Sequence, residues 1–458
     1  MERKRVAIIG SGIAGLSAAR QIHPFDDIAI FEKAPTWGGH AYTHATEIDG
    51  KPYLFDIGVQ IFRTDIYPHL IRFCQDADFA DLALLGLGVS LLSVHEQNGA
   101  RKVWGNTPEY LRLPEIKSLW DSQLCEECSR FMIAMSKLDE DDQMLILDDW
   151  LKANNFSDLF KNVVLIPSLS IVNVTRNGLL DGTFLTTLEL PDILISFFSA
   201  NTWYRFREGI RSFLEIYSRD FQDKISTDSQ VLKCIPQTSG QVKLTIENLK
   251  SKEIYDLQFD QVLFANDLTD ARQILDHEEN PHREKQQSLL RVFKSENAFI
   301  YVHRDSSILP TGVPLTSSTL FHHRDGESVM HYNLDANQGN YGQTNAFASL
   351  YSEKPTCEPT ELLRDMVQWK HPNYSPNYFA AQRQLHQLQG LGNLWFCGNN
   401  TVIDGFEASM VSGLIIAEKM CRRAVYPFHE PKNLLEGRAS EVYKMVRSRW
   451  MFPEEELA

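Results

Sequence analysis

Val6-Ala-Ile-Ile-Gly10-Ser-Gly12-Ile-Ala-Gly15 opens the most telling stretch of the chain, and Ile28-Ala-Ile-Phe31-Glu32 closes it. Val6 to Ile9 is a short, unbroken apolar run, as a parallel strand buried on both faces requires, and helix formers follow the glycines as far as Ile22. Ile28 to Phe31 is a second such run, so the stretch predicts a β-α-β unit of Rossmann type. The glycine spacing has a mechanical reading. Gly10 permits a tight turn, Gly12 lets the backbone approach a pyrophosphate, and Gly15 lets the helix pack close to the strand. Amide N–H groups and the positive end of the helix dipole then face the phosphates. Glu32 stands 22 residues after Gly10, where an acid accepts hydrogen bonds from ribose hydroxyls and disfavours a 2′-phosphate, and hence NADP. Gly10, Ser11, Gly12, Ile13, Ala14, Gly15, Glu32 and Lys33 form the first candidate cofactor-binding set. On these residues alone the ligand is FAD or NAD.

The rest of the composition narrows the class. A chain of 458 residues, 43% apolar and 23% charged, is of ordinary globular make-up and long enough for two or three structural units. Sixty acidic against 45 basic residues leave a formal charge of −15, which supplies no general attraction to phosphate backbones, so nucleic acid is not an expected partner. Seven scattered cysteines read as reduced thiols of a cytoplasmic protein. Cys125 and Cys128 have redox or zinc spacing, but no second pair lies nearby and the setting is helical, where positions three apart simply share a face; no metal is expected. The basic start runs into too few apolar residues for a secretory signal, and the longest apolar stretch, Leu82 to Val94, is too short and too interrupted to span a membrane.

Farther along, residues 66–204 mix helical stretches with loops, among them Pro68 to Cys74. Val231–Ile235, Val242–Ile246 and Gln261–Ala265 alternate or run apolar and predict a small antiparallel sheet. Ala298–Val302, Met330–Asn333 and Asn345–Ser349 predict a second sheet. Leu394–Cys397 reads as a strand ending in Gly398, Ala408–Ala424 as a helix, and Leu434–Arg449 as an amphipathic helix with a solvated charged face.

After the second strand comes Trp37-Gly38-Gly39-His40, then Phe55-Asp56-Ile-Gly58-Val-Gln60. The run Glu32 to His40 and the Asp56-Ile-Gly58 element resemble the flavin-containing amine oxidase and phytoene desaturase superfamily, in which FAD fills the first site. The resemblance is closer to one branch, the predicted NAD/FAD-binding oxidoreductases found beside cyclopropane-fatty-acyl synthases. It reaches to about residue 424 through Tyr67-Pro-His-Leu70, Trp203 with Arg207-Glu-Gly209, His303-Arg-Asp305, His371-Pro372, Ala381-Gln-Arg383, Trp395-Phe-Cys-Gly398 and Ser412-Gly413. It implies non-covalent FAD, with Gly38, Gly39, His40, Asp56 and Gly58 added to the site, the Val231 backbone at the adenine, Gly398 and Asn399 at the ribityl chain, and Ser412 near the flavin end of the last helix. Two departures stand out. Asn399 replaces an acidic residue of the superfamily, and Gly405-Phe-Glu-Ala-Ser-Met410 lacks the histidine of the branch's Gly-Phe-His-Glu-Asp-Gly stretch.

The fold class expected is α/β with an α+β substrate part. A Rossmann-type FAD-binding domain would take residues 1–65, 206–275 and 388–425, a discontinuous mixed-sheet substrate domain 66–205 and 276–387, and a helical tail 426–458. A flavin carries its own hydride acceptor, so the protein needs to position a C–H bond and manage charge. Trp203, Arg205 and Arg207 are the candidate catalytic cluster, whose guanidinium groups could hold a carboxylate or phosphate. His331 is a candidate proton shuttle. Gln60, Tyr204, Tyr332, Phe406 and Glu407 are candidates for the wall facing the flavin. Three functions stay open: an FAD-dependent oxidoreductase acting on an apolar, unsaturated acyl or isoprenoid-like small molecule, a flavin amine oxidase, and a non-catalytic FAD-stabilised partner subunit.

Overall fold

A computed structural model describes residues 3–63, 66–77, 79, 82–85, 90–105, 123–135, 137, 145–170, 203–312, 317–324, 326–339, 343–402, 405–422 and 433–453. The first strand, Arg5–Ile9, is the middle of a five-stranded sheet ordered Leu394–Phe396, Gln261–Phe264, Arg5–Ile9, Asp27–Phe31 and Ile225–Ser226. Every pairing in it is parallel. Val6, Ala7 and Ile8 are fully buried, which is why this strand carries no alternation in its sequence.

One sequence expectation is corrected here. Gln261–Phe264 belongs to the parallel sheet, paired with both the first strand and Leu394–Phe396. The antiparallel sheet is instead Ser229–Pro236, Val242–Asn248 and Ile254–Phe259. All four residues of Gln261–Phe264 are buried, the signature of a strand covered on two faces, whereas Ile254–Phe259 alternates exposed and half-buried positions until the buried Phe259.

The opening helix, Ile13–Ile22, is covered by the closing helix, Phe406–Cys421, most of whose residues are buried. The two cross in backbone contact: a Cβ added to Gly413 would overlap the Ala14 carbonyl oxygen. Strand and helix interiors of this half form one continuous apolar core with Phe206, Phe213 and Tyr217.

A second core lies against a seven-stranded mixed sheet, ordered Leu362–Pro372, Ser295–His303, Phe347–Tyr351, Glu327–Asn333, Thr319–Arg324, Leu91–Gln97 and Ala100–Gly105. Only Thr319–Arg324 against Leu91–Gln97 is parallel. The three strands expected between 298 and 349 all fall in this sheet. Gln123–Met135 is helical and carries Cys125 and Cys128; none of the seven cysteines forms a disulfide. Among the described residues there is no cluster able to hold a metal, and no helix long and apolar enough to cross a membrane. The tail helix runs Leu434–Val446.

Candidate functional site

The glycine turn is built differently at each of its three glycines. Gly10 adopts φ +101°, and a Cβ there would stand 2.8 Å from the Ala265 carbonyl oxygen. At Gly15 a Cβ would overlap the Gly10 carbonyl oxygen. At Gly12 a Cβ meets nothing within 4 Å. The turn is closed against protein at its ends and open in the middle, at the N-terminus of a ten-residue helix with no acidic residue in its first turn. The first N–H groups of that helix have no intrahelical acceptor and carry its positive end, so an anionic pyrophosphate fits the opening.

Glu32 is held from the same turn. Ser11 donates to its Oε2 through the backbone N–H at 3.0 Å and through Oγ at 2.7 Å, and Ala34 N–H donates to Oε1 at 2.9 Å. A carboxylate has about four acceptor positions. The protein therefore orients this group and leaves capacity for a ribose hydroxyl. Lys33 turns elsewhere, pairing with Asp270 at 2.7 Å.

Gly38 and Gly39 lie across the turn: Gly38 N–H donates to the Ser11 carbonyl at 3.1 Å, and a Cβ on Gly39 would stand 3.2 Å from Gly12 Cα. His40 comes next, its ring stacked on His371 at 5.0 Å between centroids and tilted against Trp369 at 4.7 Å. Gly58 passes under it so closely that a Cβ would overlap the His40 carbonyl oxygen. Val231 lies on the edge strand of the antiparallel sheet, whose first residue donates to the Glu32 carbonyl (Ser229 N–H, 2.8 Å). Gly398 sits at φ +105° with its Cβ position 3.8 Å from that of Ala14, and Asn399 begins the short turn Asn399–Thr401. The structure thus gathers Gly10–Gly15, Glu32, Gly38–His40, Gly58, Val231, Gly398 and Asn399 around one helix end.

Several expected site residues also fasten the fold. Ser412 is fully buried, accepting from Gly398 N–H at 2.9 Å and donating to the Ser409 carbonyl at 2.7 Å, so it fastens the Gly398 turn. Asp56 caps the helix Ile210–Ser218: its carboxylate accepts from Ile210 N–H at 3.0 and 3.1 Å and from Thr43 Oγ1 at 2.6 Å. Burial raises the Asp56 pKa to about 6 against the opposing pull of those hydrogen bonds and of Arg205. Glu407 reaches back from the closing helix to cap Pro68–Asp76, accepting from His69 N–H and meeting His69 Nδ1, each at 2.6 Å. His69, from another helix, thus stands against Glu407 in the stretch that lacks the branch's histidine.

The catalytic candidates are dispersed. Arg205 is buried and donates to the backbone carbonyls of Phe206, Arg207 and Gln338. Arg207 is exposed. His331 points to the face of the mixed sheet that also carries Leu320 and Phe347, and it is linked to Ser349 Oγ at 2.6 Å; burial, reinforced by His322 and His303, holds its pKa well below the ordinary value. Tyr332, one residue on, faces the second core instead. Phe406 packs among Tyr67 and Phe213, Tyr204 stacks on Phe62, and Gln60 accepts from Asn337 at 3.2 Å. Trp203 packs against the second core with its indole N–H buried and without a hydrogen-bond partner among the described residues. Over its ring, 5.7 Å from the centroid, lies the guanidinium of Arg63, a buried residue that nothing local in the sequence marks out.

Residues 8–77 match the family described as the NAD(P)-binding Rossmann-like domain. No curated protein matches the sequence. Solved structures do resemble it throughout: a CLA-producing fatty acid isomerase from P. acnes at TM-score 0.62 and 13% identity, over 92% of this chain and 98% of that one. Putrescine oxidase bound to putrescine matches at 0.62 and 13%, over 92% and 100%. Cyclohexylamine oxidase from Brevibacterium oxydans IH-35A matches at 0.57 and 15%, over 92% and 100%. A Rossmann-like unit joined to a seven-stranded mixed sheet gives this chain the fold it shares with the fatty acid isomerase, putrescine oxidase and cyclohexylamine oxidase.

Proposed function

We propose that the chain is an FAD-dependent oxidoreductase that acts on an apolar, unsaturated acyl or isoprenoid-like molecule by desaturation, oxidation or a redox-neutral double-bond shift. The observation that carries the FAD reading is the second pair of glycines, Gly38 and Gly39, laid against Gly12 so that backbone from two separate runs borders one opening. Gly12 and the first helical N–H groups would hold the pyrophosphate, Glu32 the ribose, the Val231 strand edge the adenine, and the Gly398–Asn399 turn the ribityl chain. No cysteine is assigned to the cofactor; Cys397 is fully buried on a strand end with its thiol pushed up by burial, which supports non-covalent binding. When bound, FAD supplies the hydride acceptor. The protein's part is to exclude water and hold the reacting bond, and the second core offers Ile61, Trp203, Tyr332 and Trp369 as an apolar lining. We read the two cores as the flavin and substrate domains.

A second reading, a flavin amine oxidase, draws support from the likeness to two amine-named oxidases. Anaerobic mixing of the FAD-loaded protein with an unsaturated fatty acid and, separately, with putrescine tests both. Bleaching of the flavin or a shifted double bond with the acid supports the acyl reading. Bleaching by the diamine alone transfers the assignment to amine oxidation, and inertness to both favours the non-catalytic subunit.

A further inference from the structure

The helices Gln123–Met135 and Leu147–Ala153, with the turn that follows the second, enclose a hollow of about 450 Å³ that opens to solvent. Its lining shares no residue with the glycine turn or with the strands around that turn. Ile133, Ala134, Trp150 and Phe156 give it an apolar wall, and Arg130 and Lys137 stand beside them. Trp150 and Phe156 stack on each other, 5.5 Å between centroids, and Phe131 of the second core packs edge-on against both, so this wall is fixed. Ile133 is 56% exposed, an apolar side chain left largely uncovered in a concave place.

Arg130 is exposed and yet held in place. Its Nη2 donates to the Asn154 and Asn155 carbonyls, at 3.1 Å each, just past the end of Leu147–Ala153, and its guanidinium lies over the Phe156 ring at 4.7 Å. Among the described residues no carboxylate pairs with Arg130 or with Lys137. Acids on the same two helices are engaged elsewhere: Glu127 accepts from Ser157 N–H and Oγ at 2.6 and 2.7 Å, and Asp148 pairs with Lys152 and Lys161. In a chain of formal charge −15, two cations without acidic partners beside one apolar hollow reverse the sign locally. A guanidinium already fixed by carbonyls and a ring loses little freedom when an anion arrives. The volume lies within the range of small-molecule sites, about 300–1,000 Å³.

We propose that this hollow is a second ligand site, for a small anion with an apolar body. The ligand is an aryl or short-chain carboxylate whose acid group meets Arg130 and Lys137 while its body covers Ile133 against the Trp150 wall. The site is independent of the acyl reading and of FAD.

The test is calorimetric titration of the FAD-loaded protein with phenylpropanoate and with its neutral isostere phenylpropanamide, the flavin absorption band being followed in parallel. The acid is expected to bind at least about tenfold more tightly than the amide, the difference charge-assisted hydrogen bonds make, and to leave the flavin band unmoved. Arg130→Ala should bring the acid down to the level of the amide, and Lys137→Gln should weaken it several-fold. Ala134→Trp, which fills the hollow and keeps both cations, should abolish binding of acid and amide alike. Melting temperature and FAD content show that each variant is folded; because Arg130 also ties two carbonyls, the Lys137 and Ala134 variants carry the test if Arg130→Ala melts early. Acid that fails to bind, acid and amide binding equally, or acid binding that shifts the flavin band and ignores these substitutions each overturns the second site, and none of them bears on the acyl reading.

Discussion

At the scale of single residues, the three glycines of the opening turn make separable demands. A methyl group on Gly12 has open space around it and a backbone that L-residues accept, so Gly12→Ala should change stability by no more than about 1 kcal/mol. The same methyl group projects into the opening assigned to the pyrophosphate and should weaken FAD binding at least tenfold, read by titration of the apoprotein (about 1.4 kcal/mol). Gly10→Ala and Gly15→Ala press on backbone carbonyls and should lower the melting temperature itself. If Gly12→Ala melts as early as Gly15→Ala, the turn is not an open cradle. Gly15, Glu32 and Gly39 were legible because the groups they meet, Gly10, Ser11 and Gly12, are near in sequence. Asp56, Glu407 and Arg205 were not. The partner of the Asp56 carboxylate, Ile210 N–H, is 154 positions away, and no local pattern distinguishes a helix cap from a ligand contact.

At the scale of elements, Asp56 carries the N-terminus of Ile210–Ser218, and its titration has a sign. Burial lifts its pKa to about 6, above the unfolded value of about 3.9, so the folded state binds the proton more tightly. Its contribution to stability is complete below about pH 4 and is lost as the pH rises through 6. Asp56→Asn keeps an acceptor and removes the titration. The melting temperature of the native protein relative to this variant should therefore fall between pH 4 and 6, and a pH-independent difference would refute the assignment.

The mixed sheet has the opposite sign. Asp305 N–H donates to His303 Nδ1 at 3.1 Å, which leaves His303 Nε2 to donate to Ser349 Oγ at 2.6 Å and the hydroxyl to donate to His331 Nδ1 at 2.6 Å. Burial lowers His303 to about 4, outweighing Asp305, so the stability it contributes is present above pH 6.5 and lost as the pH falls through 4. Ser349→Ala deprives two buried imidazoles at once and should cost about 2 kcal/mol or more in chemical denaturation. A loss within 0.5 kcal/mol would show that the chain is not a structural tie. For His331 the sequence context gives the strand but not which face of the sheet the ring takes, nor its link to Ser349. Gln261–Phe264 was misplaced for a related reason, since an apolar run between two alternating strands reads as their neighbour until burial on both faces separates it from them.

At the scale of the whole molecule, two cores meet along the segments that cross between them. The Gly58–Arg63 run and the Trp203–Gly209 run pair through Phe62 and Tyr204, and Asp56 exchanges backbone hydrogen bonds with the Gln338 side chain, at 3.0 and 2.7 Å, while capping a helix of the first core. The sequence announced the dinucleotide half through its glycine spacing, and the likeness in fold extends over 92% of the chain at 13–15% identity. The substrate side was legible only as strands. Cross-strand pairs such as Arg63 with Trp203 become neighbours through a register that spacing cannot supply.

The absorbance spectrum of the purified protein, taken before and after acid precipitation, tests the central claim most directly. A yellow protein whose supernatant carries the bands of free FAD is expected, because the proposed site would hold the cofactor through backbone amides, a carboxylate and a strand edge and through no covalent bond. A colourless protein that takes up no added FAD would contradict the account, leaving a Rossmann-like unit that binds a nicotinamide dinucleotide or none.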